Sequence, residues 1–213
     1  MKKRRWLLRG VLFLMFSMIL SVGDSLCFKA NVGVVPYEAM ALTLNYFTGV
    51  EIGTLSFGVN TMMIIFQIAL RKKINMGLIL QIPLITVISI VINWMVYTFL
   101  VWVPSVYVVR LLLMLLGLVI SAVGVGLLVA LNLVVMPCEG FAAAYADKMN
   151  KDFEKVRHTL DIIFLLVCVI FSISLKVPFA IREGTVIAAV IYAPIMGMAV
   201  KKIQPYLTDL MMD

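Results

Sequence analysis

Six long apolar runs divide this chain, and the short stretches between them hold most of its charged residues. The runs cover residues 7–27, 54–70, 77–99, 106–131, 159–175 and 184–200. A helix needs about 17–25 mostly apolar residues to cross a bilayer. Each run therefore predicts a transmembrane helix, and together they predict an all-α membrane protein with six spans.

Two shorter apolar segments follow the first and the fourth runs, at residues 36–47 and 137–150. Both begin with a proline, which is favoured in the first turn of a helix because its missing N–H costs nothing there. With about 12–14 residues, each segment is too short to cross the bilayer. They predict two short helices that are either re-entrant or interfacial.

The chain repeats itself at a constant shift of 101 residues. Between residues 9 and 42 the shift pairs twelve identical residues, among them the polar or unusual pairs Arg9/Arg110, Asn31/Asn132, Pro36/Pro137 and Glu38/Glu139. Chance matches between apolar residues do not explain these pairs. The sequence therefore predicts two copies of one unit, residues 1–105 and 106–213. Because each copy has three spans, the second enters the membrane from the opposite face, which gives an inverted repeat within one integrated membrane domain.

Composition supports a membrane protein and excludes two other classes. The chain is 63% hydrophobic and 14% charged, whereas a soluble domain carries about 25% charged residues. The net charge of +7 would suggest nucleic acid in a soluble protein. Here the basic residues flank apolar runs, and no basic face with interleaved aromatic residues is present. We therefore expect a lipid bilayer, and no nucleic acid, as the partner.

The basic residues also predict how the chain is oriented. With six spans, 14 of the 18 Lys and Arg residues fall on the side of the N-terminus, and the other side holds Lys29, Arg110, Lys176 and Arg182. Basic loops stay in the cytoplasm, so both termini are predicted to be cytoplasmic. The first apolar run lacks a cleavage pattern and recurs in mid-chain, which indicates a retained span rather than a signal peptide.

The two short segments, together with the asparagine five residues before each proline, provide the first candidate site residues: Asn31, Glu38, Asn132 and Glu139. An asparagine side chain can hydrogen-bond an unwound backbone, and a Glu in the first turn complements the helix dipole. This pattern favours a break followed by a half-helix that points at a solute or ion near the midplane. The alternative is a capped surface helix whose Glu faces water.

Asn60 and Asp161, which the shift of 101 also pairs, are the other candidate site residues. They lie inside the second and fifth runs, where polar groups are costly and usually mark function or a paired structural site. Asp161 follows Arg157 by four residues on one helix face, which predicts a structural ion pair. Asp24, near the outer end of the first span, is expected to form an interfacial ion pair with Lys29.

Enzyme chemistry finds little support in the sequence. Cys27, Cys138 and Cys168 lie in or beside apolar runs without metal-ligand spacing. No nucleophile–base pair or metal triad is recognisable. We therefore predict no catalytic residue, no metal site and no cofactor.

Several motifs give the chain a family resemblance. Ala30-Asn31-Val32-Gly33, Pro36-Tyr37-Glu38 and the segment 48–53, Thr-Gly-Val-Glu-Ile-Gly, follow the patterns A-x-L-G, P-W-D and T-G-x-x-x-G. Val156 to Asp161 matches V-R-x-x-x-D. In these motifs the chain resembles the YczE/YitT-like family of bacterial multi-pass membrane proteins, with Val32 in place of Leu and with Glu in place of Asp after both prolines. The resemblance implies an integral protein of the bacterial inner membrane and names no substrate.

The function expected from these patterns is the transport or facilitated passage of a small solute. Two alternatives are an accessory or structural membrane protein without transport, and the binding subunit of a multi-component importer. A homo-oligomer or a membrane partner is compatible with each of them.

Overall fold

The computed structural model describes the backbone of residues 2–212 and the side chains of residues 6–207. The described side chains do not include those of Lys2, Lys3, Arg4 and Arg5, which are predicted to be cytoplasmic. Met1 and Asp213, the outer ends of the two predicted copies, lie outside the described residues. The described chain folds into helices: α1 (Lys2–Ala30), α2 (Pro36–Thr48), α3 (Ile52–Arg71), α4 (Met76–Trp94), α5 (Tyr107–Leu131), α6 (Pro137–Met149), α7 (Phe153–Leu175) and α8 (Glu183–Met212). A π-helical turn, Met95–Phe99, continues α4.

The prediction of six spans is confirmed by helix length and composition. Six helical stretches of the described residues are long and apolar enough to cross a membrane: Trp6–Ala30, Ile52–Arg71, Met76–Phe99, Tyr107–Leu131, Phe153–Leu175 and Glu183–Leu207. Two predicted spans were too short by six residues or more, and the other predicted bounds differ from the observed ones by at most three residues. The fifth helix begins at Phe153 rather than 159, because its first turns carry charges without losing helical geometry. The sixth continues beyond residue 200 because Lys201 and Lys202 interrupt hydropathy and not the helix.

The two short helices begin at Pro36 and Pro137, as predicted. They end at Thr48 and Met149, so the predicted ends at 47 and 150 were each wrong by one residue. The next residues, Gly49 and Asn150, adopt positive φ angles of 70° and 54°. A left-handed residue of this kind closes a helix, and Gly and Asn adopt it most readily.

Helices α1 and α5 cross at the centre of the bundle through small residues. A Cβ atom on Gly23 would overlap the backbone of Ser121, and one on Gly124 would overlap the backbone of Leu20. Small residues let the backbones of two membrane helices approach closely. The shift of 101 converts Gly23 into Gly124 and Leu20 into Ser121, so the two contacts are equivalent.

The outer spanning helices α4 and α8 pack within their own halves of the chain, whereas the short helices also pack across the boundary between residues 1–105 and 106–213. Helix α4 packs on α1, and α8 packs on α5. The short helix α2 packs on α7, while the short helix α6 packs on α3. Each short helix is thus held by a spanning helix from the other half of the chain.

The two halves differ in how their last two spans meet. Asn93 on α4 accepts a hydrogen bond from the Gly53 N–H of α3 at 2.7 Å and donates one to Thr54 at 3.0 Å. Ser89 donates to the Gly53 carbonyl. Helix α7 packs on α2 and α6, but it makes at most a marginal contact with α8 in the described structure.

Candidate functional site

Asp24 is buried inside the bundle, with 4% of its surface exposed. It lies six residues, about 9 Å, before the end of α1. The Ser121 hydroxyl of α5 donates to the Asp24 carboxyl at 2.5 Å, and the Tyr192 hydroxyl of α8 is 3.1 Å from the same Ser121 oxygen. The predicted ion pair with Lys29 is therefore wrong, because Asp24 turns toward α5 and makes no salt bridge within the described chain.

The carboxyl group of Glu38 lies against that of Asp24, at hydrogen-bonding range. Pro36 begins α2, so Glu38 falls in the first turn and faces α1. No Lys or Arg among the described residues forms a salt bridge with either carboxyl group. Glu38 is outside the six spans, and burial, followed by the charge of Asp24, raises the pKa of its carboxyl group well above the ordinary value. We call Asp24 and Glu38 the carboxyl pair.

A second set of contacts fixes the direction of α2. The Tyr46 hydroxyl near the end of α2 donates to the Asn31 side-chain oxygen at 3.0 Å, just beyond the end of α1. Since Glu38 meets Asp24 and Tyr46 meets Asn31, α2 runs parallel to the last turns of α1. The extended segment 32–35 must therefore run back along α1 before α2 begins.

The two predicted asparagines terminate helices rather than join the carboxyl pair. Asn31 has φ 51° and Asn132 has φ 50°, each directly after a spanning helix. Arg182 donates to the Asn31 carbonyl at 2.7 Å, which holds the loop after α1 to the loop before α8. Asn132 is exposed at the end of α5. Neither asparagine is brought together with Glu38 or Glu139.

Glu139 occupies the equivalent place on α6, but its partner is a cation. Its carboxyl oxygen is 3.4 Å from Nε of Arg157, and Nη1 of Arg157 contacts Asp161. The three side chains are about one-quarter to one-third exposed, at 34%, 25% and 26%. Val125 replaces Asp24 in this half of the chain. We call Glu139, Arg157 and Asp161 the arginine triad.

The beginnings of α2 and α6 approach each other at the centre. Tyr37 and Cys138, each directly after its proline, pack in one cluster with Met63 and Phe164. The Tyr37 ring meets the Phe164 ring edge to face, with centroids 5.3 Å apart. Tyr37 is within electrostatic range of both Glu38 and Glu139. We call the carboxyl pair and the arginine triad the two half-sites. Both therefore lie near the side chain of Tyr37.

Two buried polar atoms have no hydrogen-bond partner in the described structure: the Tyr37 hydroxyl and the Asn60 side-chain oxygen. Asn60 is 3% exposed, and its amide donates to the Ser56 carbonyl at 2.9 Å. Buried polar atoms are normally satisfied, by water if not by protein. Each of these two atoms retains the capacity for a further hydrogen bond.

A pair of buried glutamines, which the sequence reasoning did not single out, holds the beginning of α6. Gln67 on α3 and Gln81 on α4 exchange hydrogen bonds of 3.1 and 3.2 Å. Gln67 also donates to the Pro137 carbonyl at 2.9 Å. The signal was available, since a glutamine inside an apolar span is costly unless it is paired. Within the part of the chain that is described, no three or more His, Cys, Asp or Glu side chains form a group that could hold a metal ion.

Six apolar helices around buried ionisable groups define an integral membrane protein with several spans. The chain belongs to a family of unknown function, DUF6198, whose sequence profile matches residues 7–201. No curated protein and no solved structure has significant similarity to it.

Proposed function

We propose that this protein carries a small solute across the membrane and that the carboxyl pair binds the proton that accompanies it. The observation that carries the proposal is the contact between Asp24 on a spanning helix and Glu38 on a short helix, without a cation. Ionisable groups buried in membrane proteins commonly mark ion pathways or proton relays. The arginine triad and the beginnings of α2 and α6 would form the remaining walls of the site.

The chemistry of the carboxyl pair supports proton binding. Two carboxylates in contact in a low-dielectric site cannot both be ionised at modest cost, so one of them retains a proton. Loss of that proton leaves two negative charges in contact and pushes α2 away from α1. A proton thus controls the position of a helix that forms one wall of the site.

The path of α2 supports its assignment as a re-entrant helix. It begins beside Asp24, about 9 Å inside the end of α1, and ends near Asn31 on the side where α1 ends. The helix N-terminus carries a partial positive charge, so a half-helix of this kind favours an anionic or strongly polar solute group. The equivalent bounds of α6 extend the same assignment to the second half and support an inverted repeat.

A ligand screen followed by transport measurements tests the proposal. We expect at least one small anionic or polar metabolite to raise the unfolding temperature of the protein in lipid nanodiscs, because a ligand that binds the native state stabilises it. Uptake of that solute into proteoliposomes should then accelerate with a pH gradient. Glu38→Gln, which mimics the protonated acid, should retain binding and lose the pH dependence.

Two results would contradict the proposal. Transport of the identified solute at a rate independent of the pH gradient would remove the proton role of the carboxyl pair. Absence of any stabilising solute, combined with unchanged stability in Glu38→Gln, would favour an accessory or structural role instead.

We further propose that the protein lies in a bacterial inner membrane with both termini in the cytoplasm, and that it is related to the YczE/YitT-like proteins. The bunching of 14 of 18 basic residues on one side supports the orientation.

The orientation can be tested by cysteine labelling. In a variant without native cysteines, Lys29→Cys and Ser105→Cys should react with impermeant thiol reagents in intact cells. Lys72→Cys and Lys151→Cys should not, and labelling at position 72 would overturn the orientation.

A further inference from the structure

A groove of about 670 Å³ lies between α6 and α7, and none of the residues that line it belongs to the carboxyl pair or the arginine triad. We call it the α6–α7 groove. Its lining includes Lys151, Lys155, Thr159, Phe141, Leu160 and Ile163. The volume is that of a small-molecule site, and no part of the proposed transport function uses it.

The polarity of the groove changes along its length. Lys151 precedes α7, and Lys155 lies in its first turn. Leu160 and Ile163 lie one to two turns further along α7, about 7–12 Å beyond Lys155 at 1.5 Å per residue. Helix α6 runs the other way, so Phe141 is far from the end at Met149 and lines the deep part. The groove thus has a cationic mouth at the membrane boundary and an apolar depth.

Asp152, the acidic residue at the mouth of the groove, does not neutralise the positive charges of Lys151 and Lys155. The Asp152 carboxylate accepts hydrogen bonds from the backbone N–H groups of Glu154 and Lys155, at 2.9 and 3.1 Å, and thereby caps α7. A capping carboxylate is matched by the helix dipole. No salt bridge in the described structure involves Lys151 or Lys155, so both ammonium groups are available to an anion.

In the first half of the chain, the region equivalent to the α6–α7 groove lacks the two lysines, and α4 covers α3 there. The shift of 101 places Val50 at the position of Lys151 and Thr54 at that of Lys155. Thr54 accepts a hydrogen bond from Asn93 on α4, which packs along α3. Helix α8 provides no comparable cover for α7, so the α6–α7 groove opens sideways, toward the lipid.

We propose that the α6–α7 groove binds one phospholipid with an anionic headgroup. The phosphate lies between Lys151 and Lys155, and an acyl chain lies along Phe141, Leu160 and Ile163. Cationic residues at the boundary attract anionic headgroups, while the apolar depth accepts the chain. The order of these groups along the groove is the order of headgroup and acyl chain in a membrane leaflet, which favours a lipid over a free anion.

The test is native mass spectrometry of the protein released from nanodiscs that contain equal amounts of phosphatidylglycerol and phosphatidylcholine. We expect the wild type to retain phosphatidylglycerol preferentially. Lys151→Gln with Lys155→Gln should lower this preference by roughly 25-fold, since each boundary lysine contributes on the order of a fivefold factor. Thr159→Phe, which narrows the depth, should lower retention of both lipids.

The matched control is Lys201→Gln with Lys202→Gln, which removes two exposed lysines of α8 that do not line the groove. This control should keep the wild-type preference. The proposal is overturned if the control loses as much preference as the groove variant, or if the wild type retains both lipids equally. It is also overturned if millimolar inorganic phosphate displaces the bound lipid, because the site would then recognise a free anion.

Discussion

The carboxyl pair and the arginine triad occupy equivalent places in the two halves of the chain, yet their charges are balanced differently. Both are built on a short helix that begins with proline and carries a Glu two residues later. In the first half Glu38 meets a second carboxyl group, Asp24. In the second half Glu139 meets a guanidinium group that also binds Asp161.

The difference teaches how two segments of similar sequence in one chain can balance their charges differently. The carboxyl pair and the arginine triad each contain two carboxyl groups, and only the arginine triad contains a cation. If the carboxyl pair holds one proton, both half-sites carry the same net charge of minus one. The proton then has the electrostatic role that Arg157 has in the other half. A proton can leave and a guanidinium cannot, so the positive partner is removable only in the carboxyl pair.

Among the variants that test this comparison, Arg157→Gln should lower the free energy of unfolding most. The change leaves Glu139 and Asp161 without their cation, and we expect a loss of about 3 kcal/mol, the lower end of the cost of breaking a buried ion pair, because the groups are partly exposed. Unfolding in lipid nanodiscs at neutral pH measures it. Adding Asp161→Asn should recover part of the loss. Additive losses would show that Asp161 acts independently of Arg157.

A somewhat smaller effect should come from the crossing of α1 and α5. Gly23→Ala and Gly124→Ala each place a methyl group against the opposite backbone, so we expect each to destabilise the protein by about 2 kcal/mol. Gly10→Ala is the matched control, because no atom lies within 4 Å of its new Cβ. Unequal losses at positions 23 and 124 would show that the halves do not cross symmetrically.

The effect that sharpens the comparison most concerns pH, and it is the smallest of the three when it is counted per pH unit. The pKa of Glu38 is raised above its ordinary value of 4.5, so the native state binds more protons than the unfolded state above that pH. Stability should be greatest below pH 4.5 and fall by about 1.4 kcal/mol per pH unit until the raised pKa is passed. Glu38→Gln should remove this slope in pH-dependent unfolding. If Glu139→Gln removes it equally, the titrating group has been misassigned.

The sequence predicted the helices because their signals are local. Hydropathy located six spans, and Pro36 and Pro137 located the starts of the short helices to the residue. The extension of α7 back to Phe153 was missed because Glu154, Lys155 and Arg157 lower the hydropathy of turns that are still helical. The Arg157–Asp161 contact could be predicted since both residues lie on one helix face.

The carboxyl pair could not be predicted from local spacing. Asp24 has Lys29 five residues away, but its partners come from α2, α5 and α8, and spacing along the chain gives no distance between helices. One signal was present: Asp24 continues the buried polar face of Ser17 and Ser21, at offsets of seven and three residues. A carboxyl group on such a face points into the bundle rather than toward the headgroups.

The packing of each short helix on a spanning helix of the other half has a consequence for the newly made chain. When the first three spans have entered the membrane, α7 has not been synthesised, so α2 can pack on α3 but not yet on α7. Ser121 and Tyr192, which complete the surroundings of Asp24, are also absent at that stage. Until the second half is inserted, the first half therefore lies in the bilayer without these two hydroxyl groups near Asp24. Assembly becomes final only after the last span, α8, has been inserted.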